Sequence, residues 1–419
     1  MRITILCPHF APDVAPTGEV MTSIADGLAA RGHRLHVVTS LPWYRHHRVE
    51  PGWGGKLVRH ENAAWGRITR VSPFPTDKTN IPARALAFGG FTLLAAEQAG
   101  WGTERPDVVF AMSPPLTLGM AGWAVSRFRG APFVFNIQDV FPDVAIELGL
   151  LQGERVVRAA YAAERLTYRI ADAVTVLSDD LAANVRAKLS SDPGKVRVIP
   201  NFVDTEWIQP GPKENAYRSE FGLSGKRVVM YAGNVGLSQS LDLMLSAAAS
   251  MVDNPDVVFV INGGGTVRPE LQRRAAGLPN VVFVDMQPKE RLPELLAAAD
   301  VHVVPLRRGL ARSSVPSKTY SILAAGRPLV ASVDAGTEVA RTVEQAGAGI
   351  AVPPDDPEAF TKAVRRLLDD PDEADRLGAA GRAFVERWAS PAAVATRYEE
   401  LFLEVVEARA RRLASRRYV

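Results

Sequence analysis

The sequence predicts an α/β protein made of two doubly wound, Rossmann-like parallel-sheet domains. Two observations carry that prediction. Short, nearly continuous apolar runs alternate with amphipathic segments along most of the 419 residues, as expected for strands covered by helices on both faces. The alternation also pauses at a polar stretch around residues 202–224 and then restarts, so a chain too long for one core divides in two.

The first half contains seven predicted strands with helices between most of them. Residues 18–31, 81–101 and 154–171 have helical periodicity. In chain order the strand segments are RITILC, LHVVTS, RITRVS, PDVVFAMS, PFVFNIQD, AVTVLS and VRVIPN. Because these runs are almost wholly apolar, we expect them to form one buried parallel sheet.

The second half repeats the pattern with the segments RVVMYAG, VVFVING, VVFVD, VHVVPL, PLVAS and GIAV. A short helix is predicted over residues 319–325, with Ser317 as its N-cap and Gly326 as its end. Beyond Pro357 the pattern is helical only. We therefore place the domains at residues 1–203 and 204–390, followed by a segment, 391–419, whose helix is expected to return to the first domain.

The composition is that of an ordinary soluble globular protein, with 47% hydrophobic and 23% charged residues. The uncharged run ALAFGGFTLLAA is shorter than the roughly 20 residues of a spanning helix, and no signal-peptide pattern follows Met1. We therefore predict a cytoplasmic protein without a membrane span. Cys7 is the single cysteine, which excludes an internal disulfide, and we predict that it is buried in the first strand.

The net charge of +3 is unevenly distributed. Residues 31–84 carry ten Lys or Arg against three Asp or Glu, together with Trp43, Trp53 and Trp65. No nucleic-acid-binding motif accompanies this charge, so we expect no nucleic-acid partner. An anionic membrane surface or a lipid diphosphate suits the mixture of cations and tryptophan, and a solvated basic loop is the alternative.

The loops that follow the strands are the places to look for chemistry, because open parallel sheets bind ligands at the carboxyl ends of their strands. None of these loops matches the dinucleotide-binding or P-loop pattern, which argues against a dehydrogenase and a P-loop kinase. Lys318 stands at a predicted helix start, where backbone N–H groups and the helix dipole favour a phosphate. An ordinary capped helix is the alternative there.

Seven segments, in this order, resemble those of retaining nucleotide-sugar glycosyltransferases of family 4, and in particular its bacterial surface-polysaccharide members. The segments are PHFAPDVAPTGEVMTSIADGLAARGHRLHVVTS, NIQDVFPDVAIELGLL, VIPNFVDTE, YAGNVGLSQSLDLML, GGGTVRPEL, LLAAADVHVVPL and VPSKTYSILAAGRPLVAS. Each segment is weak evidence by itself. Their common order and spacing over almost the whole chain make the resemblance specific.

The resemblance implies the GT-B fold, in which the two domains face a cleft. It implies transfer of a sugar, an N-acetylated deoxyhexosamine or a hexose, from a nucleotide-diphosphate donor that we expect to be UDP-linked. The acceptor would be a lipid-linked or saccharide molecule at the inner face of the cell membrane. No metal or other cofactor is implied, since cations and amides can stabilise a leaving diphosphate.

The expected donor site departs from the pattern of such enzymes at three positions. Position 321, where a glutamate usually holds the ribose hydroxyls, is serine. The glycine-rich loop that often carries Arg and Lys has Asn234 and Gln239 instead. The predicted donor-binding residues are Gly18, Asn234, Gly236, Gln239, Gly263, Gly264, Arg308, Arg312, Ser317, Lys318, Thr319 and Ser321.

On the acceptor side, Asp139 is the predicted catalytic residue, because it ends a strand and precedes a stiff Phe-Pro-Asp turn. A helix N-cap is the alternative. Gln138, where relatives often have histidine, and Glu19 are predicted to contact the acceptor, although Glu19 also suits the dipole of its own helix. His9 lies near this edge without a visible partner, and His302 is predicted to be a core histidine.

The sequence leaves two other functions possible. A nucleotide-sugar 2-epimerase would have the same double fold, but it would not need the basic, tryptophan-bearing stretch as an acceptor surface. A non-catalytic partner of another transferase is the second alternative, motivated by Ser321, Asn234 and Gln239.

Overall fold

The computed structural model describes residues 1–45, 48–74, 81–102, 104–143, 146, 153–189, 192–309 and 318–415. Its contacts divide the chain into two compact units. Unit 1 comprises Met1–Asn201 and Val394–Val419, and unit 2 comprises Phe202–Ala393. Each unit is a Rossmann-like α/β domain. The division at Asn201 falls two residues before the boundary predicted from the sequence.

Unit 1 contains an eight-stranded sheet in the order β3-β4-β2-β1-β5-β6-β7-β8. Its strands are β1 (Arg2–Leu6), β2 (Arg34–Ser40), β3 (Val58–Ala63), β4 (Gly66–Val71), β5 (Val108–Ser113), β6 (Phe133–Ile137), β7 (Ala173–Val176) and β8 (Val196–Val198). Its helices before residue 201 are α1 (Pro16–Ala30), α2 (Ile81–Gly100), α3 (Thr117–Arg129), α4 (Glu154–Ile170) and α5 (Asp179–Lys188).

One edge of this sheet differs from the prediction. Strand β3 was not predicted, and it runs antiparallel to β4, whereas all other neighbours are parallel. Its sequence, VRHENA, is polar because an edge strand need not be buried on both faces. The seven predicted strands thus form the parallel sheet that was expected, and β3 is an additional antiparallel edge strand that the sequence analysis missed.

Unit 2 contains a six-stranded, wholly parallel sheet in the order β11-β10-β9-β12-β13-β14, and all six predicted strands are present. The strands are β9 (Arg227–Ala232), β10 (Val257–Asn262), β11 (Val281–Val284), β12 (Val301–Pro305), β13 (Leu329–Ser332) and β14 (Gly349–Val352). Its helices are α6 (Ala216–Glu220), α7 (Asp242–Ala249), α8 (Arg268–Arg274), α9 (Leu292–Ala297), α10 (Lys318–Ala324), α11 (Glu338–Ala346), α12 (Pro357–Asp369) and α13 (Pro371–Trp388).

The final helix, α14 (Pro391–Ser415), packs into the core of unit 1 from Val394 onward. The rings of Tyr398 and Phe402 are buried and lie 5.0 Å and 5.3 Å from the ring of Phe110 on β5. The Tyr398 hydroxyl accepts a hydrogen bond from Asn136 on β6 at 2.9 Å. Burial of such aromatic side chains, each worth about 1.5–3 kcal/mol, holds this helix on the first domain.

Two buried polar side chains confirm their predicted structural roles. Cys7 is fully buried as predicted, although it lies one residue beyond β1, and burial raises the pKa of its thiol to about 12. His302 is fully buried within β12, where its Nε2 pairs with the Leu296 carbonyl at 2.9 Å and burial lowers its pKa to about 4. Within the described ranges, the helices are all too short or too polar to cross a membrane.

The hairpin between β3 and β4 depends on Gly66. Its φ is +148°, and a Cβ atom there would lie 2.0 Å from the Leu35 carbonyl oxygen of β2. We expect Gly66→Ala to destabilise unit 1 by about 2–4 kcal/mol, a fall in melting temperature of about 5–15 °C by calorimetry. Gly54→Ala is the matched control, because nothing lies within 4 Å of its Cβ position. Equal melting temperatures for the two variants would contradict this account.

Candidate functional site

A cavity of about 370 Å³ lies at the carboxyl edge of the unit 2 sheet. Its wall brings Lys318 and Ser321 of α10 together with Gly233, after β9, and Asn262, at the end of β10. Residues 286–289, after β11, form a further wall that sequence reasoning missed because no motif marks it. The volume falls in the range of small-molecule sites, about 300–1,000 Å³.

Lys318 is anchored on Tyr231 of β9. Its Nζ donates to the Tyr231 hydroxyl at 3.0 Å and lies 4.3 Å from the centre of the ring. The tyrosine hydroxyl in turn donates to the Asn234 carbonyl at 2.6 Å, which fixes it as an acceptor for the lysine. Burial lowers the pKa of Lys318 to about 8, so at neutral pH the site holds a cation with little water around it.

The loop after β9 is held by its own hydrogen bonds. The Gly236 N–H donates to the Gln239 side-chain oxygen at 3.1 Å, and Asn234 is exposed. Gln239 also bridges to Leu306, at the end of β12. Gly236 could therefore offer its N–H to a phosphate only by releasing Gln239. The contacts of Asn234 and Gln239 with the sugar donor stay predictions.

The glycines after β10 are required for two different reasons. A Cβ atom at Gly263 would lie 2.0 Å from the Gly233 carbonyl oxygen, and one at Gly265 would lie 2.2 Å from the Val235 carbonyl oxygen. Those two glycines allow the loops after β9 and β10 to touch. Gly264 has nothing within 4 Å of its Cβ position, so it leaves open space beside the loop.

The other predicted donor residues have varied surroundings. Arg308 is tied to the loop after β14, since its N–H donates to Asp355 at 3.1 Å and its guanidinium to the Pro354 carbonyl at 3.3 Å. Thr319 is 2% exposed, and its hydroxyl has no partner in the described part of the chain. Arg312 and Ser317 lie outside the described residues.

On unit 1, Asp139 follows β6 by two residues and is exposed at the carboxyl edge of the sheet. Partial desolvation by the surrounding protein raises the pKa of its carboxyl group. Its neighbour Gln138 is 7% exposed and donates to Asn136 at 2.8 Å while accepting from Asn201 at 3.0 Å. Gln138 is thus part of a buried amide chain, and Asp139 is the more accessible of the two predicted residues.

The turn after Asp139 is held by a partly buried charge cluster. Lys188 of α5 donates to Asp143 and to Glu164 of α4, at 2.8 Å in each case. Burial by itself would raise the pKa of Asp143, but hydrogen bonds from Lys188 and Asn184 hold it below its usual range. This cluster gives the strand end that carries Asp139 a rigid support, as functional sites require.

The loop after β1, residues 7–15, contains a pair that the sequence did not reveal. His9 Nδ1 lies 2.7 Å from a carboxylate oxygen of Asp13, whose side chain is wholly buried. Gly18 packs on His9, since a Cβ atom at Gly18 would lie 2.9 Å from His9 Cβ, and the Gly18 N–H donates to the Ala15 carbonyl. Glu19 is exposed in the first turn of α1.

The described residues of the basic stretch include strands and aromatic side chains that pack against this loop, so they are not one solvated loop. Arg70 of β4, with a side chain only 1% exposed, pairs with Glu61 at 2.7 Å and lies 5.0 Å from the Trp53 ring. Trp43 stacks on His9 at 5.6 Å, and Trp65 meets Phe10 at 6.3 Å. Part of the charge in this stretch is therefore structural.

A metal site does not emerge from the described ranges, in which no three His, Cys, Asp or Glu side chains converge as ligands. The geometry instead shows two α/β units with candidate residues at the carboxyl edges of their parallel sheets, and in unit 2 a cavity containing a buried lysine. Two Rossmann-like units in one chain are the architecture of the GT-B fold.

The family follows from the sequence comparisons. Residues 17–201 match the family described as "Glycosyl transferase 4-like domain", and residues 226–370 match "Glycosyl transferases group 1". Together the two matches span most of both units. The chain belongs to the family 4 glycosyltransferases, as the seven segments predicted, and it is a transferase enzyme.

Relatives of this chain are similar over nearly its whole length. It is 27% identical over 380 residues to the putative colanic acid biosynthesis glycosyl transferase WcaI of Escherichia coli K12, covering 88% of this chain and 92% of that one. Sucrose-phosphate synthase of Thermosynechococcus elongatus has a similar fold, with a TM-score of 0.70, 21% identity and coverage of 97% and 100%. HepE of Anabaena, solved in complex with UDP, has a TM-score of 0.66, 15% identity and coverage of 96% and 100%.

The lowered pKa of Lys318 is directly testable. Because burial lowers it from an ordinary 10.5 to about 8, we expect its side chain to lose its proton between pH 7 and 9. The unfolded chain binds that proton more tightly, so the contribution of this residue to the free energy of unfolding rises with pH between about 8 and 10.5. Titration of the lysine side-chain carbons by NMR, with Lys318→Met to assign the signal, measures the midpoint. A midpoint near 10.5 would show that the ammonium group is well hydrated.

Proposed function

We propose that this glycosyltransferase transfers a sugar from a nucleotide-diphosphate donor, UDP-linked, to a lipid-linked or saccharide acceptor in cell-surface polysaccharide or glycoconjugate synthesis, with retention of configuration. The observation that carries the proposal is the cavity of unit 2, where a buried lysine and Ser321 meet at the carboxyl edge of the sheet. The relative WcaI is named for colanic acid biosynthesis, and HepE was solved with UDP.

Lys318 would be the main cation for the donor diphosphate. A charge-assisted contact in a partly desolvated site is stronger than one in water, and Tyr231 holds the lysine in one place. The ammonium group would stabilise the charge that develops on the diphosphate as the glycosidic bond breaks. No metal ion is needed in this proposal.

Ser321 would replace the glutamate that commonly binds the ribose hydroxyls. A single hydroxyl offers one donor and two acceptor lone pairs, whereas a carboxylate accepts two hydrogen bonds side by side. We therefore propose weaker ribose recognition by α10. Residues 286–289, which line the same cavity, would supply part of the remaining contact to the nucleoside.

Asp139 would contact the acceptor or the transferred sugar from unit 1. Its exposed carboxyl group has a raised pKa and a rigid support, which suits a hydrogen bond to a hydroxyl group. Retention would follow from attack on the face of the leaving group, with the departing phosphate accepting the proton from the acceptor hydroxyl. A second carboxylate of the hydrolase type is then not required.

The decisive experiment incubates the protein with a panel of UDP- and GDP-sugars and a polyprenyl-diphosphate sugar. Transfer supports the proposal, epimerisation of the donor alone would replace it by a nucleotide-sugar 2-epimerase, and no turnover would favour a non-catalytic partner.

Lys318→Ala should raise the donor dissociation constant at least tenfold by calorimetry, because a lost charge-assisted contact costs about 1.5–3 kcal/mol. Lys362→Ala, on the exposed face of α12, is the matched control. Equal donor affinity of the two variants would remove Lys318 from the site.

We also propose that the enzyme is cytoplasmic and docks peripherally on an anionic membrane surface. Trp43, Trp53 and Trp65 pack within unit 1, so the docking surface consists of exposed residues of α2, of Trp101 directly after it, and of α3. Leu86 and Leu93 are seven residues apart on that helix and are 79% and 74% exposed. Trp101 is 75% exposed and contacts Phe128, which lies between Arg127 and Arg129 on α3.

Binding to vesicles tests this docking surface. We expect co-sedimentation with phosphatidylglycerol vesicles to weaken in high salt, as the attraction of arginines is screened, and to persist in part, because burial of apolar side chains is not screened. The double variant Leu93→Gln, Trp101→Ala should reduce the partition coefficient at least fivefold. Leu413→Gln, an exposed leucine on α14, is the control. No sedimentation of the wild type at low salt would end the membrane proposal.

A further inference from the structure

We propose that His9, held by Asp13, is an acceptor-binding residue of unit 1 and receives a hydrogen bond from a hydroxyl group of the acceptor sugar. The inference rests on the proposed function and names a group for its acceptor site. Four sets of observations support it: the hydrogen bonds of the ring, the anchoring of its loop, its position on the sheet and its aromatic surroundings.

The hydrogen bonds of the ring leave one nitrogen for a ligand. Nδ1 lies 2.7 Å from Asp13, and because a carboxylate only accepts hydrogen bonds, Nδ1 is the donor of this pair. In a neutral imidazole the lone pair is then on Nε2, which has no hydrogen-bond partner in the described part of the chain. The His9 side chain is 11% exposed, so it still reaches the surface. Such a ring is oriented to accept a proton or a hydrogen bond from a hydroxyl group.

Asp13 is itself held in position. Its second oxygen accepts the Tyr44 N–H at 3.1 Å, and its own N–H donates to the Phe10 carbonyl at 3.0 Å. An oriented carboxylate behind an imidazole fixes both the tautomer and the direction of the ring. A histidine that served only to fill space would not need a fully buried carboxylate whose two oxygens both accept hydrogen bonds.

The rest of the loop is anchored from three strands or helices. Ser40 of β2 donates to the Pro8 carbonyl at 2.6 Å, and Thr22 of α1 accepts the Ala11 N–H at 2.9 Å. The buried guanidinium of Arg70 donates to the Ala11 carbonyl at 2.5 Å and the Phe10 carbonyl at 3.4 Å. This preorganisation lowers the entropy cost of binding a substrate at His9.

The position of the pair is that of a ligand site. His9 follows the carboxyl end of β1, and Asp139 follows the carboxyl end of β6. Only β5 lies between these two strands, so the strand ends are two spacings apart, about 10 Å. A sugar ring with several hydroxyl groups spans most of that distance.

Aromatic rings complete the surroundings of His9. The indole of Trp43 stacks on it with an interplanar angle of 29°, and Tyr44 meets its edge at 5.3 Å and is 39% exposed. Flat amphipathic rings beside a hydrogen-bonding group suit a saccharide, whose faces are partly apolar and whose rim is polar. A bare inorganic anion would not need them. The occupant that we infer is therefore a sugar hydroxyl group.

The test compares transfer with donor binding in three variants. His9→Phe keeps an aromatic ring for packing but has no nitrogen, His9→Gln places an amide near the position of Nε2, and Asp13→Asn keeps the shape of the orienting group. With a polyprenyl-diphosphate N-acetylhexosamine as acceptor, His9→Phe should lower kcat/KM for the acceptor at least thirtyfold and leave the UDP dissociation constant within twofold. His9→Gln should have a kcat/KM about threefold or more above that of His9→Phe. Asp13→Asn should lower kcat/KM at least fivefold relative to the wild type.

The outcomes separate this inference from the proposed function. Unchanged acceptor kinetics in His9→Phe, or a parallel loss of UDP binding, would overturn the role of His9 while transfer by the wild type stands. If the wild type transfers no sugar, NMR of ¹⁵N-labelled histidine decides instead, with His9→Gln assigning the signal. A shift of the His9 Nε2 resonance on adding the same acceptor supports the binding role although the proposed function fails. An unshifted resonance overturns it.

Discussion

A parallel sheet that is covered by helices on both faces can offer polar chemistry only at its ends, and this constraint organises both units. The interior strands of each sheet are largely apolar and buried, and the polar strand β3 lies at an edge, so the reactive side chains are found at the strand ends. In unit 2 the strand ends converge on a cavity with one buried lysine. In unit 1 they carry Asp139 after β6 and the His9–Asp13 pair after β1. Function in this family is thus a property of loops, and the sheets decide which loops are neighbours.

Much of the chemistry of unit 1 depends on one buried cation. Arg70 has four hydrogen-bond contacts, two with Glu61 and two with carbonyl groups of the loop after β1. A buried guanidinium is tolerated only when such partners offset its lost hydration, and removal of one partner from a pair of this kind costs about 3–5 kcal/mol. The basic, tryptophan-bearing stretch therefore has an internal purpose. Arg70 and the indoles of Trp43 and Trp65 contact the loop that carries His9.

Lys318 shows the opposite use of a buried cation. Its Nζ has one hydroxyl partner, and no carboxylate pairs with it in the described part of the chain. Burial therefore lowers its pKa to about 8, with no ion pair to raise it. A cation that is desolvated but not neutralised binds an anion more strongly than a hydrated one. Arg70 is thus satisfied by the protein, whereas Lys318 keeps the unpaired charge that the proposed binding of a diphosphate requires. The two side chains are both cations. The difference in their hydrogen-bond partners distinguishes the structural role of Arg70 from the binding role that we propose for Lys318.

The sequence by itself determined the α/β class, the two domains, six of six strands in unit 2 and the family, because apolar periodicity and ordered motifs are local properties of the chain. It also predicted Lys318 from its place at a helix start and Ser321 from the family resemblance, and both residues line the cavity of unit 2. Tertiary structure alone decided the antiparallel edge strand β3, the burial of Arg70 and the pairing of His9 with Asp13. It also decided that Gln138 joins an amide chain and that residues 286–289 line the cavity. These features depend on strand order and on distances between loops, and such contacts leave no periodic trace in the sequence.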